Sequence, residues 1–221
     1  LLAVGTRFAE IATGSYSVEP PSELIHIDIN PQVFNANYPA SVAIQGDAGE
    51  VLDALLIELR RVLNERINNG ADPLQDNTAE RVKSIAKLKL KTQKEWLAGG
   101  DSSRVNPAKF FTALRAKLES DAVVVADDGN HTFLTAELLP IHRAGGFISP
   151  TDFNAMGYCI PAVNGAKLAN PDSQVIGIVG DGAMFMTGMA VSTAVHYKLG
   201  VIYVIFNDGE LAQISQAQEL P

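Results

Sequence analysis

Two short polar turns carry the residues that could do chemistry in this 221-residue chain. Residues 180–182 read Gly-Asp-Gly and residues 207–209 read Asn-Asp-Gly, and each turn follows a run of apolar, mostly β-branched residues. The side-chain oxygens of Asp181 and Asn207 are hard ligands, which suit Mg²⁺ or Ca²⁺ better than zinc or copper. Magnesium is commonly held by one or two carboxylates together with water and phosphate oxygens. The two turns together therefore indicate a magnesium-bridged phosphate site.

Glycine and the start of a helix surround the acidic residue of the first turn. Gly182 lets a ligand approach the backbone closely, and a helix that begins near Ala183 presents unpaired N–H groups to an anion. Turns of these compositions are also common structural elements, and either turn alone is explained more easily in that way. Because both turns end apolar strands, the sequence supports the structural and the metal-binding interpretations about equally.

These turns require strands that end at one edge of a sheet. Continuous apolar runs at residues 122–126, 175–179 and 201–206 predict buried parallel strands. Apolar residues at helical spacing predict a single helix between the last two strands: Met184, Val191, Val195 and Leu199. A strand, a helix and a strand at this spacing form a right-handed βαβ unit, so Asp181 and Asn207 are expected to follow neighbouring strands and to face one crevice.

The first part of the chain, residues 1–68, alternates strands and helix in a similar way. Asp47, with Glu50 three residues later, has the pattern of a capping box and predicts the start of a long amphipathic helix. Apolar runs predict three strands before it: residues 1–4, 24–29 and 42–44. We interpret this part as the end of a Rossmann-like domain.

A change of composition separates the two halves of the chain. Residues 69–104 are predicted to be an interdomain linker that contains a Lys-rich helix. Asn106, followed by a proline, predicts the first helix of a second domain over residues 105–221. The chain is thus predicted to be an α/β protein with three α/β/α layers, mainly parallel sheets and two partial domains. It opens inside an apolar run, so we expect it to be a piece of a longer protein.

Composition excludes several classes of function. The net charge is −8 and no basic run occurs, which is atypical of a nucleic-acid-binding protein. No apolar stretch reaches the ~18 residues of a transmembrane helix, so no membrane partner is expected. The single cysteine, Cys159, excludes an intrachain disulfide and a multi-cysteine metal site, and it fits a reducing, cytoplasmic location.

The spacing of the two turns resembles the thiamine diphosphate signature. Gly-Asp-Gly at residues 180–182 is followed by 24 residues (183–206) and then by Asn207. Residues 156–169 resemble the M-G-x-x-[IL]-P-A-x-x-G-A-K-x-A segment of the same enzymes. The chain is most similar to the acetolactate synthase and pyruvate oxidase group, which acts on 2-oxo acids. It departs from acetolactate synthases at Asp208, where a second asparagine is usual.

The resemblance extends to the end of that family's middle domain at residues 25–31 and 46–48. It implies thiamine diphosphate and Mg²⁺ as cofactors, a 2-oxo acid substrate, decarboxylation followed by carboligation, and a homodimer or homotetramer whose active site is shared between subunits. A decarboxylase or oxidase reaction remains open, and so does a non-catalytic fragment that binds no cofactor. Binding of FAD is also left open, because residues 5–7 and 28–30 are placed where such contacts fall but are ordinary α/β turns.

Roles for individual residues follow from the resemblance alone. The metal would be bound by the side chains of Asp181 and Asn207 and by the carbonyl of Gly209. The cofactor would be bound by a larger set: Asn130, His131, Asn154, Met156, Gly180, Gly182 and Ala183. In this family the activating glutamate lies in an N-terminal domain of the partner subunit. No catalytic residue is therefore expected in this chain, which alone is expected to be inactive.

The implied cofactor contacts differ in kind. Backbone N–H groups of Gly182 and Ala183 would meet the diphosphate, as would Asn130 and His131. Met156 would be the bulky residue that supports the bent cofactor, and the backbone at residues 154 and 156 would meet its aminopyrimidine ring.

Overall fold

Contacts divide the chain into two units, Leu1–Asn77 and Thr78–Pro221. The computed structural model describes most of both units: residues 1–70, 77–100, 103–150 and 153–218. Among these residues, no helix is long and apolar enough to cross a membrane.

The first unit is built on a three-stranded parallel sheet in the order β1-β2-β3. Its strands lie at Leu2–Val4, Ile25–Asp28 and Val42–Gln45. The predicted strands are confirmed, and Leu24 and Ile27 are fully buried beside them.

Helix α1 of the first unit spans Ala48–Asn68. Asp47 is its N-cap, and Oδ1 of this residue accepts the backbone N–H groups of Gly49 and Glu50 at 2.9 and 3.2 Å. The predicted N-cap and the helix that follows it are confirmed. The capping side chain stabilises the helix because it satisfies two N–H groups that have no partner within the helix.

The second unit contains a four-stranded parallel sheet in the order β5-β4-β6-β7. Its strands lie at Val123–Ala126 (β4), Phe147–Ile148 (β5), Val175–Gly180 (β6) and Val201–Phe206 (β7). Its helices are α2 (Thr78–Ala98), α3 (Pro107–Arg115), α4 (Asn130–Leu138), α5 (Cys159–Ala169), α6 (Asp181–Thr187), α7 (Val191–His196) and α8 (Ala212–Gln218).

Alternating side chains of β4 bury both faces of this sheet under helices. Val123 and Val125 pack in one core cluster with Ile160 of α5. Val124 packs in a second cluster, on the opposite face, with Phe111 of α3. Successive residues of a strand point to opposite faces, so the sheet lies between two helical layers. The predicted α/β/α class with mainly parallel strands is confirmed.

The connection from β6 to β7 differs from the prediction of one helix. It is divided into α6, a 3-10 turn at Gly188–Ala190 and α7. Thr187 has φ −132° and ψ 12°, outside the helical region, and Gly188 follows it. Of the predicted apolar stripe, Met184, Val191 and Leu199 are half-buried, but Val195 is 72% exposed. The stripe therefore gave only part of the buried face, and it carried no information about this break.

Four elements of the second unit were not predicted from the sequence: α4, α5, α8 and the two-residue strand β5. Asn130 and His131, which were expected in a turn, form the first turn of α4 after Gly129 with φ 142°. The loops predicted around residues 71–76 and 101–102 lie outside the described residues. The domain boundaries at residues 68 and 105 stay predictions.

Candidate functional site

A cavity of about 160 Å³ lies at the carboxyl ends of β4, β6 and β7. Its lining comes from the turns that follow these strands, from Met156 and from the segment that leads into α8. Most of the predicted site residues are among the lining: Asn130, His131, Met156, Gly180, Asp181, Gly182 and Ala183. The fold therefore brings together residues from positions 128 to 214 at the sheet edge where open α/β proteins bind ligands.

Asp181 joins the turns after the two neighbouring strands. Gly180 at the end of β6 pairs with Phe206 at the end of β7. One carboxylate oxygen of Asp181 accepts the backbone N–H of Gly182 at 2.7 Å, and the other accepts the N–H of Gly209 at 2.9 Å. The prediction that these two turns lie side by side is confirmed.

Asn207 and Gly209 are exposed beside the cavity and do not belong to its lining. The residues between and after them, Asp208 and Glu210, do line it. Gly209 has φ 75°, a left-handed conformation that glycine adopts without strain. The metal-binding roles of Asn207 and Gly209 stay predictions.

Gly182 lies in the wall of the cavity, close to the side chains of Leu211 and Met156. A Cβ atom at this position would lie 3.0 Å from Cδ2 of Leu211 and 3.3 Å from Cε of Met156. The backbone N–H of Gly182 is already donated to Asp181. Ala183 follows as a buried residue of α6. Contact of the Gly182 and Ala183 backbone with a diphosphate stays a prediction.

His131 is buried in the wall of the cavity, with 7% of its surface exposed. Its ring lies close to two glycines, because a Cβ atom at Gly129 or Gly180 would approach its Cε1 to 2.8 or 3.1 Å. The ring of Phe206 lies 6.1 Å away between centroids. Nε2 of His131 is buried and has no hydrogen-bond partner among the described residues. An unpaired polar atom in such a position is a candidate contact for a ligand.

Burial lowers the pKa of His131 below its ordinary value of 6.5, and the charges of Asp127, Asp208 and Asp181 offset part of this effect. The imidazole is therefore neutral at pH 7. A neutral ring has one nitrogen that donates and one that accepts, so Nε2 can serve a ligand in either role according to the tautomer.

Asn130 lies at the first position of α4 and also lines the cavity. Its side-chain amide donates to Oε1 of Gln216 in α8 at 3.1 Å. This contact links two parts of the chain 86 residues apart. Gln216 was not among the predicted residues, and nothing in the local sequence distinguishes it.

The two predicted residues that precede α5 have different positions. Met156 is half-buried and lines the cavity, whereas Asn154 is exposed and lies outside the lining. Asn154 has φ 57°, and its N–H donates to the carbonyl of Pro150 at 2.7 Å. The structure thus brings Met156 to the site, and contact of the Asn154 backbone with a cofactor stays a prediction.

Asp127 is a fully buried carboxylate that the sequence analysis did not single out. Its Oδ1 accepts the N–H groups of Asp128 and Gly157 at 2.9 and 2.8 Å, and its Oδ2 accepts that of Cys159 at 2.7 Å. The side chain therefore holds the segment that follows Met156 against the end of β4. The position of Asp127 directly after a buried strand is the sequence feature that could have identified it.

Acidic side chains dominate the charge of the cavity. Four carboxylates line it: Asp128, Asp181, Asp208 and Glu210. No lysine or arginine occurs among the described lining residues. Burial, and then the charge of Asp127, raises the pKa of Asp128. An anionic ligand would be repelled here unless a cation were bound with it.

The donor set is consistent with a hard cation that shares its ligands with a substrate or cofactor. No group of three or more His, Cys, Asp or Glu side chains within the described ranges is arranged to hold a metal ion. The predicted set, with one carboxylate, one amide and one backbone carbonyl, is of the kind that leaves positions for phosphate oxygens and water.

The turns proposed for FAD are occupied by local contacts in the first unit. Oδ1 of Asp28 accepts the N–H of Asn30 at 2.8 Å, and Oδ1 of Asn30 accepts that of Gln32 at 3.0 Å. The carbonyl of Thr6 lies 2.8 Å from Nε2 of the buried His26. These contacts are those of ordinary turns, so FAD binding stays an open prediction.

Two family models match the chain. Residues 127–221 match "Thiamine pyrophosphate enzyme, C-terminal TPP binding domain", and residues 1–55 match "Thiamine pyrophosphate enzyme, central domain". The first segment includes all of the described cavity-lining residues, and the second includes β1, β2 and β3. Together the two matches cover more than half of the chain.

Acetolactate synthase large subunits are among the relatives of the chain. It is 27% identical over 226 residues to a probable acetolactate synthase large subunit of Methanococcus aeolicus. It is 29% identical over 223 residues to the acetolactate synthase isozyme 3 large subunit of Escherichia coli, and 31% identical over 222 residues to the acetolactate synthase large subunit of Parasynechococcus marenigrum. These alignments include 99–100% of the chain but only 33–37% of each relative, so the chain spans little more than a third of their length.

Proposed function

Because the chain belongs to the thiamine pyrophosphate enzyme family, we propose that its second unit binds thiamine diphosphate with Mg²⁺ at the cavity formed by the ends of β4, β6 and β7. The observation that carries this proposal is the lining itself. Asp181 is hydrogen-bonded to the turn after β7. The described lining contains four carboxylates and no lysine or arginine that would neutralise them. A diphosphate fits such a cavity only together with a divalent cation.

Asp181, Asn207 and Gly209 would hold the metal in this proposal. Each carboxylate oxygen of Asp181 accepts one backbone N–H in the structure. A carboxylate oxygen has a second lone pair, so Asp181 can bind a cation without losing these contacts. The two hydrogen bonds would keep the carboxylate oriented before the metal arrives.

The diphosphate would lie against the backbone at Gly180, Gly182 and Ala183, where the lack of a side chain at residue 182 leaves room. The unpaired Nε2 of His131 and the side-chain amide of Asn130 are the polar groups that would meet its oxygens. His131 would donate from Nε2 as a neutral ring. Met156 would contact the organic part of the cofactor.

When bound, thiamine diphosphate would supply carbanion and electron-sink chemistry for the decarboxylation of a 2-oxo acid. This chain would orient the cofactor through its diphosphate and exclude water with Met156 and Leu211. We assign no proton-transfer role to its residues, since the activating carboxylate is expected in another domain, contributed by a partner subunit of a homo-oligomer. The chain alone would then bind the cofactor without turnover.

We infer that the whole protein acts on a 2-oxo acid in the manner of an acetolactate synthase, by decarboxylation followed by transfer to an acceptor. The chain is similar over its own whole length to about a third of the large subunit of that enzyme. This similarity supports the choice over a decarboxylase or an oxidase. We propose the cytoplasm as its location, because the single, buried Cys159 fits a reducing compartment. Analysis of the product formed from pyruvate separates acetolactate from acetaldehyde and acetate.

Calorimetric titration of the 221-residue chain with thiamine diphosphate, with and without Mg²⁺, tests the binding proposal. We expect binding that requires Mg²⁺ and that Asp181→Ala abolishes. Asp172→Ala is the matched control, since Asp172 is exposed near the other end of β6 and should leave the affinity unchanged. Absence of binding by the unaltered chain, or equal binding by Asp181→Ala, would contradict the proposal.

A further inference from the structure

We propose that Asp127 and Thr187 are positioning residues that hold Gly157 from two sides and thereby keep Met156 in place at the cavity. This inference rests on the proposed function, because the part of the ligand that Met156 would support is the organic part of thiamine diphosphate. It adds two residues whose role neither the sequence pattern nor the family resemblance assigned.

The first contact comes from the end of β4. Oδ1 of the buried Asp127 accepts the backbone N–H of Gly157 at 2.8 Å, and Oδ2 accepts that of Cys159 at 2.7 Å. Both carboxylate oxygens therefore bind the same short segment, on either side of Tyr158. Charge-assisted hydrogen bonds of this kind are stronger than neutral ones, so the segment is firmly attached to the strand end.

The second contact comes from the end of α6. The hydroxyl of Thr187 donates to the carbonyl of Gly157 at 2.8 Å. A Cβ atom at Gly157 would lie 2.8 Å from Cγ2 of Thr187, and Gly157 has φ 85°. Glycine adopts this conformation without strain and, lacking a Cβ atom, allows so close an approach. Its N–H and its carbonyl are thus bound to two different elements that both adjoin the cavity.

Met156 directly precedes this fixed glycine. Its terminal methyl group lies close to Gly182, because a Cβ atom there would be 3.3 Å from it. The rest of the side chain packs against the core cluster that contains Cys159 and Val179. Methionine is flexible and adapts to its surroundings, so the position of its backbone decides where it presents its methyl group. The two contacts to Gly157 set that position.

The two parts of the proposed ligand provide a sharp test. Pyrophosphate with Mg²⁺ occupies only the metal and diphosphate positions, whereas thiamine diphosphate with Mg²⁺ also meets Met156. Thr187→Val removes the hydroxyl and keeps the shape of the side chain, and Thr187→Ser keeps the hydroxyl. Affinities of the unaltered 221-residue chain and both variants are measured for the two ligands by calorimetry, and thermal unfolding is recorded for each protein.

We expect Thr187→Val to weaken thiamine diphosphate binding about 5- to 10-fold, the loss of one hydrogen bond, and to leave pyrophosphate binding within about twofold. Thr187→Ser should restore the affinity for thiamine diphosphate. Equal changes for both ligands, or no change for either, would overturn the positioning role, because a general loss of stability affects both alike. Failure of the unaltered chain to bind either ligand would instead overturn the proposed function, and this inference with it.

Discussion

Oδ2 of Asp181 accepts the backbone N–H of Gly209 at 2.9 Å, across 28 residues of chain. This contact ties the turn that follows β7 to the turn that follows β6. The same carboxylate binds the N–H of Gly182 through its other oxygen. A cation held by Asp181 would therefore act on both turns at once, and both would become more rigid when it binds.

Gly182→Ala should reduce the affinity for thiamine diphosphate much more than it reduces the free energy of unfolding. The added methyl group would meet the ends of two flexible side chains, Leu211 and Met156, which can move aside in the free protein. They would then occupy space that the ligand needs. We expect about 10-fold or greater loss of thiamine diphosphate affinity, since overpacking costs about 1–3 kcal/mol.

Gly165→Ala is the matched control for that variant. Gly165 lies within α5, and a Cβ atom there would meet no other atom within 4 Å. Alanine should stabilise the chain by about 0.5–1 kcal/mol, because it favours the helix over the unfolded state, and leave affinity unchanged. Calorimetry and urea unfolding on both variants check the pair. Equal affinities would show that Gly182 does not adjoin the ligand.

Asp127→Asn should destabilise the folded chain strongly. An amide nitrogen cannot accept an N–H, so at least one of the backbone donors of Gly157 and Cys159 loses its partner, whichever way the amide turns. A buried unsatisfied group costs about 1–3 kcal/mol, and more where a charge is involved. We expect a loss of about 3 kcal/mol in the free energy of unfolding, measured in urea.

Asp128→Asn provides the comparison, because Asp128 is only half-buried and its pKa is raised by burial and then by the charge of Asp127. Its folded state already disfavours the charged form, so the amide should not lower stability at neutral pH. If the two variants lost similar stability, Asp127 would have no special part in holding the segment at Gly157.

The location of the candidate site at the carboxyl edge of the sheet could be predicted from the topology. Apolar runs mark β6 and β7, and one crossover between parallel strands makes them neighbours. The sequence therefore predicted that the turns at Asp181 and Asn207 are adjacent, but Asn207 itself is not among the described residues that line the cavity. Met156 was singled out only through a family motif. Its position at the cavity depends on Gly157, whose partners Asp127 and Thr187 are each 30 residues away in the chain.

Long-range contacts explain what the sequence analysis missed. The segment from Leu211 to Ile214 lines the cavity because the chain turns back after β7, and no periodicity before or after it signals this. The contact of Asn130 with Gln216 is of the same kind. The break at Thr187 was also missed, because its hydroxyl bonds to a distant carbonyl rather than within a continuous helix.

The stability of the metal-free chain should depend on pH through His131. Burial lowers the pKa of this residue in the folded state below 6.5, so the unfolded chain takes up the proton first as the pH falls. The neutral ring makes its full contribution to the free energy of unfolding above about pH 6.5. This contribution is lost as the pH falls from there toward the pKa of His131 in the folded state. The free energy of unfolding should therefore decrease as the pH falls below about 6.5.

His131→Gln should flatten that dependence, since glutamine does not titrate. His142→Gln is the control, because His142 is exposed and its replacement should leave the slope unchanged. Urea unfolding at several pH values measures the slopes for the three proteins. A His131→Gln slope as steep as that of the unaltered chain would show that another group causes the acid sensitivity.

The carboxylates that surround Asp181 should account for the need for a cation. Asp208→Asn combined with Glu210→Gln removes two negative charges from the cavity lining. The amide oxygens can still accept the N–H of Glu210 and the hydroxyl of Ser215, as the carboxylates do. Two unit charges about 4 Å apart in water repel by about 1 kcal/mol. We therefore expect pyrophosphate without Mg²⁺ to bind the double variant about 10-fold more tightly.

The matched control is Glu119→Gln combined with Asp172→Asn, which changes the net charge equally at exposed positions near the other end of the sheet. Calorimetry with pyrophosphate in the presence of a chelator compares the two double variants. If charge acts locally, only the cavity variant gains affinity, and its remaining gain on adding Mg²⁺ is smaller than that of the unaltered chain. Equal gains in both variants would mean that the net charge of the whole chain, and not the lining of this cavity, opposes the anion. The requirement for a cation would then have to come from ligation by Asp181 alone.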